Sequence, residues 1–441
     1  MSRDGLISAR LAGITDVVVI GAGHAGLATS YLLSQEGVAH VILERGEVAN
    51  AWRERSWDSL KLLTPNWQTQ LPGFDYTGDN PFGFMSMDEL ISLLEDYAKH
   101  ADAPVYTNTN VSSVRKVGAT YRVTTNRGEW RAKAVVLASG ACNIPTVPKV
   151  AEQIPTHIKQ LTPLDYRSPE QLEAGGVLIV GASATGMQFA YEISRAGIDV
   201  TLATGEHVRM PRRYRGRDIL DWMDRCGILG ESYEDIEDLE RGRRLPSSQL
   251  VGSNDKAILD LNSLRRQGVQ ITGRLMGVNN GTAQFSGSLR NVCALADLKM
   301  NRLLNAIDDF VADQADVPSA ESFADTQVDD SPLLMAKLDG KSIKTIIWAT
   351  GFRPDYSWLD VPVLDRKGHI RHDGGIVDLP GMYVLGLPLM RARKSSFIFG
   401  ISDDAQYITS HLTQYLRTKT RNETNVVYRD DISRTGYRRS A

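Results

Sequence analysis

Twice in this 441-residue sequence a short β-branched run breaks directly into a glycine-punctuated turn and then into helical periodicity. The first copy is DVVVI at 16–20, followed by GAGHAGLATSYLLSQEG and the strand HVILE, which ends at Glu44. The second is VLIV from Val177, followed by GASATGMQFAYEISRAG and DVTLA. Strand, turn, helix and strand within so few residues make a βαβ unit, whose strands must lie parallel. The chain is therefore expected to be α/β, with two dinucleotide-binding, Rossmann-like domains. Two shorter runs also match each other, AVVLASG at 134–140 and TIIWATG at 345–351, each closing on Gly140 or Gly351.

The turns carry the chemistry. Gly21 permits the tight bend, Gly23 lets backbone approach a pyrophosphate, and Gly26 allows close helix–strand packing. His24 and Ala25 open the helix, where free N–H groups and a partial positive charge face a diphosphate. Glu44, with Arg45 after it, ends the next strand. A carboxylate there can accept both hydroxyls of an adenosine ribose and would repel a 2′-phosphate, so FAD or NAD fits this first site. Gly181, Ser183 and Gly186 repeat the layout, with Ala184 and Thr185 opening the second helix. No acid ends the second strand. Downstream lie Arg209 and, directly after it, MPRRYRGRD, with Arg212, Arg213, Arg215 and Arg217. Arg212 and Arg213 are expected to suit the 2′-phosphate of NADPH. NADH stays open, because Glu206 stands where an arginine would be wanted, and a solvated basic loop is the competing reading.

Two nucleotide sites in one chain point to FAD plus a pyridine nucleotide, with hydride passing between them. Composition removes the rivals. With 42% hydrophobic and 23% charged residues the chain is no disordered segment, and a formal net charge of −3 gives no support to nucleic-acid binding. Cys142, Cys226 and Cys293 lie far apart, so no Cys-x-x-Cys pair, disulfide framework or zinc cluster is expected. His369 and His372 read as a turn rather than a metal site. No apolar run is long enough to span a bilayer, and MSRDGLISARLAG has no signal core, so a cytoplasmic protein without membrane partners is expected. Helices are expected at 255–268 and 295–313, a surface loop at 312–332, and no periodicity in the last twenty or so residues.

These motifs together resemble the class B flavoprotein monooxygenases, which include flavin-containing monooxygenases and plant indole-3-pyruvate monooxygenases. The matching stretches are GAGHAG, Trp52-Arg53 in ANAWRER, ASGACNIPTVP, YRSP at 166–169 before VLIVGASATG, and ATGFRPD at 349–355. Bacterial members with similar WDSLKLLTP, QLPGFDYTGD, PRRYRGRD and RKSSFIFGISDDA stretches are the most alike, and the likeness runs from about residue 14 to 415. It implies a discontinuous FAD-binding domain, 1–168 and 335–441, with the NAD(P)-binding domain, 169–334, inserted. It implies that NAD(P)H reduces FAD, that dioxygen adds at flavin C4a as a hydroperoxide, and that oxygen passes to a small nitrogen, sulfur or carbonyl compound. A reductase handing electrons to a small acceptor or protein partner shares the fold. Trp52 and Val111 are expected beside the FAD, Trp52 serving equally well as core. Tyr166, Lys394 and Ser395 are the candidate catalytic residues, the last two in a polar run before a helix expected near Asp403. A homodimer is implied by resemblance alone. The family fingerprint is eroded: Tyr166 is present, Thr162 occupies its histidine position, and Leu63 stands where an asparagine is usual, with Asn66 three residues on.

Overall fold

The computed structural model describes residues 11–253 and 258–435, with side chains from 13 to 419 within them. Most of the N-terminal lead and the first residues of the helix expected at 255–268 lie outside that set. The fold is mixed α/β, with one mixed sheet built on a parallel core and one wholly parallel sheet. In the first unit, β1 (Leu11–Ile20) runs into α1 (His24–Gln35) and β2 (His40–Leu43). Then come α2 (Asn50–Arg55), α3 (Met87–His100), β3 (Val105–Tyr106), β4 (Val111–Val117), β5 (Thr120–Thr125) and β6 (Gly128–Leu137). β1 lies parallel between β2 and β6, pairing Ile20 with Leu43 and with Leu137. The carboxyl halves of the interior strands are apolar because both faces are covered there: Val17, Val18 and Val19 of β1 and Ala134, Val135 and Val136 of β6 are fully buried.

The second unit has β7 (Lys159–Leu161), β8 (Val177–Val180), α4 (Ala184–Arg195), β9 (Val200–Thr204), β10 (Gln270–Gly273), α5 (Leu289–Phe310) and β11 (Thr345–Trp348). Its five strands are all parallel, in the order β7–β11–β8–β9–β10. The chain then returns to the first sheet through β12 (Met382–Val384), parallel to β6. The second sheet thus begins ten residues before the expected boundary at 169 and ends past 334, which corrects both limits. β7 has no glycine punctuation, and the Gly351 that follows β11 marks a bend without marking which sheet the strand joins.

Local capping explains other differences. The helix expected at 255–268 spans Leu261–Arg266, started by Asp260, whose side chain accepts the Ser263 N–H at 2.8 Å. The 312–332 stretch has no strand or helix beyond its first turn, yet it is anchored, since Thr326 donates to Asp297 through both N–H and hydroxyl at 2.8 Å. The last helix, α6 (Ile401–Thr435), extends through most of the tail read as aperiodic. Its buried Ile401, Ala405, Ile408, Leu412 and Leu416 lie on one face against α1, and elongation from that anchored nucleus costs little.

Candidate functional site

Both glycine turns are shaped by contacts that leave no room for a side chain. A Cβ on Gly26 would fall 1.9 Å from the Gly21 carbonyl oxygen, and one on Gly186 would fall 1.9 Å from that of Gly181. Gly21 and Gly181, at φ +109° and +112°, also pass within 2.4 and 2.3 Å (measured to an added Cβ) of the Ala138 and Ala349 carbonyls. The middle position differs: nothing lies within 4 Å of a Cβ on Gly23, so Ser183 fits in the second copy without altering the turn. Neither α1 nor α4 has a side-chain cap or an acid in its first turn, so the N–H groups at His24, Ala25, Ala184 and Thr185 are suited to a diphosphate.

Glu44, at the end of β2, is buried and holds the first turn. Its Oε2 accepts Ala22 N–H at 2.8 Å and its Oε1 accepts Gly46 N–H at 3.1 Å. Each oxygen keeps a further lone pair for a ribose hydroxyl. Arg45 is exposed beside it, and the chain leading to Val111 passes close, with Thr109 N–H donating to the Glu44 carbonyl at 2.7 Å. Trp52, on α2, is half-buried against the core that contains Ala22, Ala25 and Ala49. Leu62 and Leu71 bring the 60–71 segment onto that same core. There the amide of Gln68, 1% exposed, has neither end partnered, and the Thr69 hydroxyl, the Asn66 Oδ1 and His24 Nε2 are likewise buried and unmet. Burial pushes His24 down to about 4, which leaves it neutral. Unmet buried donors and acceptors are costly unless a ligand meets them, and this set fits the polar edge of a flavin. Leu63, at the asparagine position, contributes only its carbonyl, to Arg212.

The second turn has a residue that sequence reasoning missed. Gln249 is buried, and its Nε2 donates to the Ala182 carbonyl at 2.8 Å. In the first copy the equivalent Ala22 carbonyl accepts the backbone N–H of Ala49 at 3.0 Å. A side chain from a distant loop thus does what a neighbouring backbone does in the first unit. No local pattern signals it.

The two crossings between units are tied together. Ile144-Pro145 pairs antiparallel with Phe352-Arg353, and Thr146 N–H donates to the Gly351 carbonyl at 2.8 Å. Gly140 and Gly351, both at positive φ, have nothing within 4 Å of an added Cβ, so both bends stand open. The twin short motifs therefore form one junction.

The arginine cluster turns inward, and Arg212 corrects the expectation placed on it. Its side chain is 1% exposed, pairs with Asp218 at 2.5 Å, donates to the Leu63 carbonyl at 2.8 Å and lies 5.0 Å from the Phe84 ring. It pins the second unit to the first, both terminal nitrogens being taken up by protein partners while its buried Nε is unmet. Arg209 is equally enclosed, at 2.7 Å from both Asp260 and Asp297. Arg215 pairs with Asp308 and Arg217 with Asp221. Arg213 is exposed, on a hairpin, and donates to the Gly216 carbonyl.

The catalytic candidates are also structurally committed. Tyr166 is fully buried, its ring 4.4 Å from Phe189 of α4 and its hydroxyl donating to Glu192 at 2.5 Å. Burial and the Glu192 carboxylate raise its pKa far above the ordinary range. Such a phenol does not give up its proton near neutral pH. Ser395 is buried and its Oγ accepts the N–H groups of Arg391 and Ala392 at 3.1 and 3.0 Å. Lys394 pairs with Asp403 in the first turn of α6 at 2.7 Å. Among the described residues no group of histidines, cysteines or carboxylates could hold a metal, and all three cysteines are free. No helix among them is long and apolar enough to cross a membrane.

Twin Rossmann-type turns, joined through a paired crossing, define a flavin- and pyridine-nucleotide-binding oxidoreductase fold. The pyridine nucleotide-disulphide oxidoreductase family matches residues 18–218. An uncharacterized CzcO-like oxidoreductase of Geobacillus kaustophilus is 31% identical over 407 residues, covering 91% of this chain and 99% of that one. The probable indole-3-pyruvate monooxygenase YUCCA1 of Arabidopsis thaliana is 30% identical over 205 residues, 45% of this chain and 49% of the plant protein. A flavin-containing monooxygenase from Stenotrophomonas maltophilia shares the fold at TM-score 0.65 and 21% identity, covering 91% of this chain and 99% of that one. The chain belongs with the CzcO-like oxidoreductases. It is an enzyme, an oxidoreductase.

Proposed function

We propose that the protein is a monooxygenase that uses NAD(P)H, FAD and dioxygen to oxygenate a small organic compound at nitrogen, sulfur or a carbonyl carbon. The observation that carries this reading is the junction of 144–145 with 352–353, which ties together the open bends at Gly140 and Gly351, one from each nucleotide-binding unit. Bound FAD would supply two-electron acceptance from NAD(P)H and activation of dioxygen at C4a. The residues that would hold it are the 21–26 turn, Glu44 and the 66–69 segment. Those that would hold the nicotinamide dinucleotide are the 181–186 turn and Gln249. Chemistry of this kind asks the protein to position two cofactors and keep water away, not to supply an acid–base pair. That agrees with Tyr166, Lys394 and Ser395 each being taken up by a neighbour. The free cysteines at 142, 226 and 293 leave a dithiol relay without residues.

The test is rapid mixing of the NAD(P)H-reduced, FAD-loaded protein with oxygen. A transient absorbance of a C4a-oxygen adduct that outlives mixing is expected. Immediate reoxidation with stoichiometric hydrogen peroxide would replace this reading with that of a reductase serving another acceptor.

A further inference from the structure

With Arg209, Arg212, Arg215 and Arg217 consumed by carboxylates, the end of β9 needs another cation if the second site is to read a phosphate. The neighbouring strand brings one. β10 is parallel to β9 with Thr204 opposite Gly273, so Gly205 and Arg274, the next residues, stand side by side at the carboxyl end of the sheet. This is the edge on which an open α/β sheet binds its ligand, and the residue after the second strand is the one that meets the adenosine ribose.

Arg274 is exposed, and its Cγ and Cδ lie 4.0 Å from a Cβ placed on Gly205. The stem of the side chain therefore runs along that turn. Its backbone is fixed, since its carbonyl accepts the Ser286 N–H at 2.8 Å, and among the described residues its guanidinium has no hydrogen-bond or ion-pair partner. The turn's own carboxylate is dealt with: Glu206 pairs with Lys299 of α5 at 3.0 Å, so its charge is balanced beside the site. His207, buried next to it, lies with Nδ1 3.0 Å from the Gly205 carbonyl oxygen and holds the bend.

We infer that Arg274 is the residue that binds the 2′-phosphate of NADPH and so selects NADPH over NADH. The inference rests on the pyridine-nucleotide reading of the second turn. A 2′-phosphate replaces a neutral hydroxyl with a dianionic group bearing three strong acceptors, and a free guanidinium fork is matched to it.

The test is binding of NADP+ and NAD+ to the FAD-loaded protein by titration calorimetry, in wild type, Arg274→Ala and Arg274→Lys, with FAD content and circular dichroism as fold controls. Wild type is expected to prefer NADP+. Arg274→Ala is expected to weaken NADP+ roughly 10- to 100-fold while moving NAD+ less than about two-fold, as for loss of a charge-assisted bond. Arg274→Lys should fall between, because an ammonium keeps the charge without the fork. Equal loss of both nucleotides, no change in either, or a wild type without preference for NADP+ overturns the assignment. So does loss of preference on Arg213→Ala with Arg274→Ala unchanged. Binding of neither nucleotide to wild type would instead remove the pyridine-nucleotide site itself.

Discussion

Asp404 is 2% exposed in the first turns of α6, and its Oδ2 meets no partner. Burial pushes its carboxyl up to about 6, with Ser395, Arg391 and Lys394 acting against the rise and Asp403 adding to it. An acid whose folded pKa exceeds its unfolded value is carried as a cost at neutral pH, and that cost is relieved as pH falls through 6 towards 4. Asparagine at 404 has no such dependence. Asp404→Asn is therefore expected to stabilise the protein relative to wild type at pH 7.5, with the gap shrinking towards pH 5. The full swing amounts to about 3 kcal/mol. Thermal unfolding of both proteins at the two pH values checks this; an identical offset at both would refute it. At this scale, what the sequence showed depended on what a residue needs. Gly21 and Gly26 were readable because the turn they make cannot hold a Cβ. Arg212 was not, because a string of arginines shows charge while hiding Asp218 and the Leu63 carbonyl that absorb it. Gln249 and Arg274 were invisible for the same reason, since each reaches its turn from a strand or loop distant in sequence.

At the scale of elements, the βαβ units follow from local rules of spacing and propensity, and they fold where those rules place them. Tyr166 shows the limit. It matches a family position, yet it sits under α4, where Phe189 also takes the edge of Trp57 at 4.8 Å. Trp57 comes from the first unit, so this aromatic stack is a joint between units rather than a catalytic group. Tyr166→Phe keeps the ring and frees Glu192 of one donor, leaving it the Ser59 hydroxyl. A loss of about 1 kcal/mol is expected, or a fall in Tm of roughly 1 °C for a chain of this length. The rate of flavin reduction by NAD(P)H should stay within about two-fold in stopped-flow at the same FAD content. A drop of tenfold or more with Tm unchanged would return Tyr166 to the reaction.

For the whole molecule, the sequence anticipated two sheets but misplaced their limits, because a parallel strand declares its sheet only through its partners. Once β7 and β11 are assigned to the second sheet, the units meet along a further line besides the crossing, the Arg212–Leu63 contact and the Trp57–Phe189 stack. Segment 229–245 of the second unit lies on the returning chain of the first. Tyr233 N–H donates to the Arg391 carbonyl and Lys394 N–H to the Leu229 carbonyl, each at 3.0 Å. Arg393 pairs with Glu231, the Tyr233 hydroxyl donates to Asp373 at 2.5 Å, and Lys367 pairs with Glu240 at 2.9 Å. Hydride transfer requires the donor and acceptor carbons in near-contact, and a displacement of one ångström is costly to rate. This line is therefore expected to set the register between the two nucleotide-binding units. The pairs are partly exposed, so each alone contributes little. Glu231→Ala combined with Tyr233→Phe leaves both glycine turns untouched. FAD content and the Kd for NADP+ are expected to stay within about two-fold. The limiting rate of flavin reduction should fall roughly 3- to 10-fold, which corresponds to about 1 kcal/mol of lost positioning. If the rate holds while Tm falls, the line docks the units without aligning them. If nucleotide affinity falls with the rate, the second site depends on the first for its shape, and the two are not independent binding units.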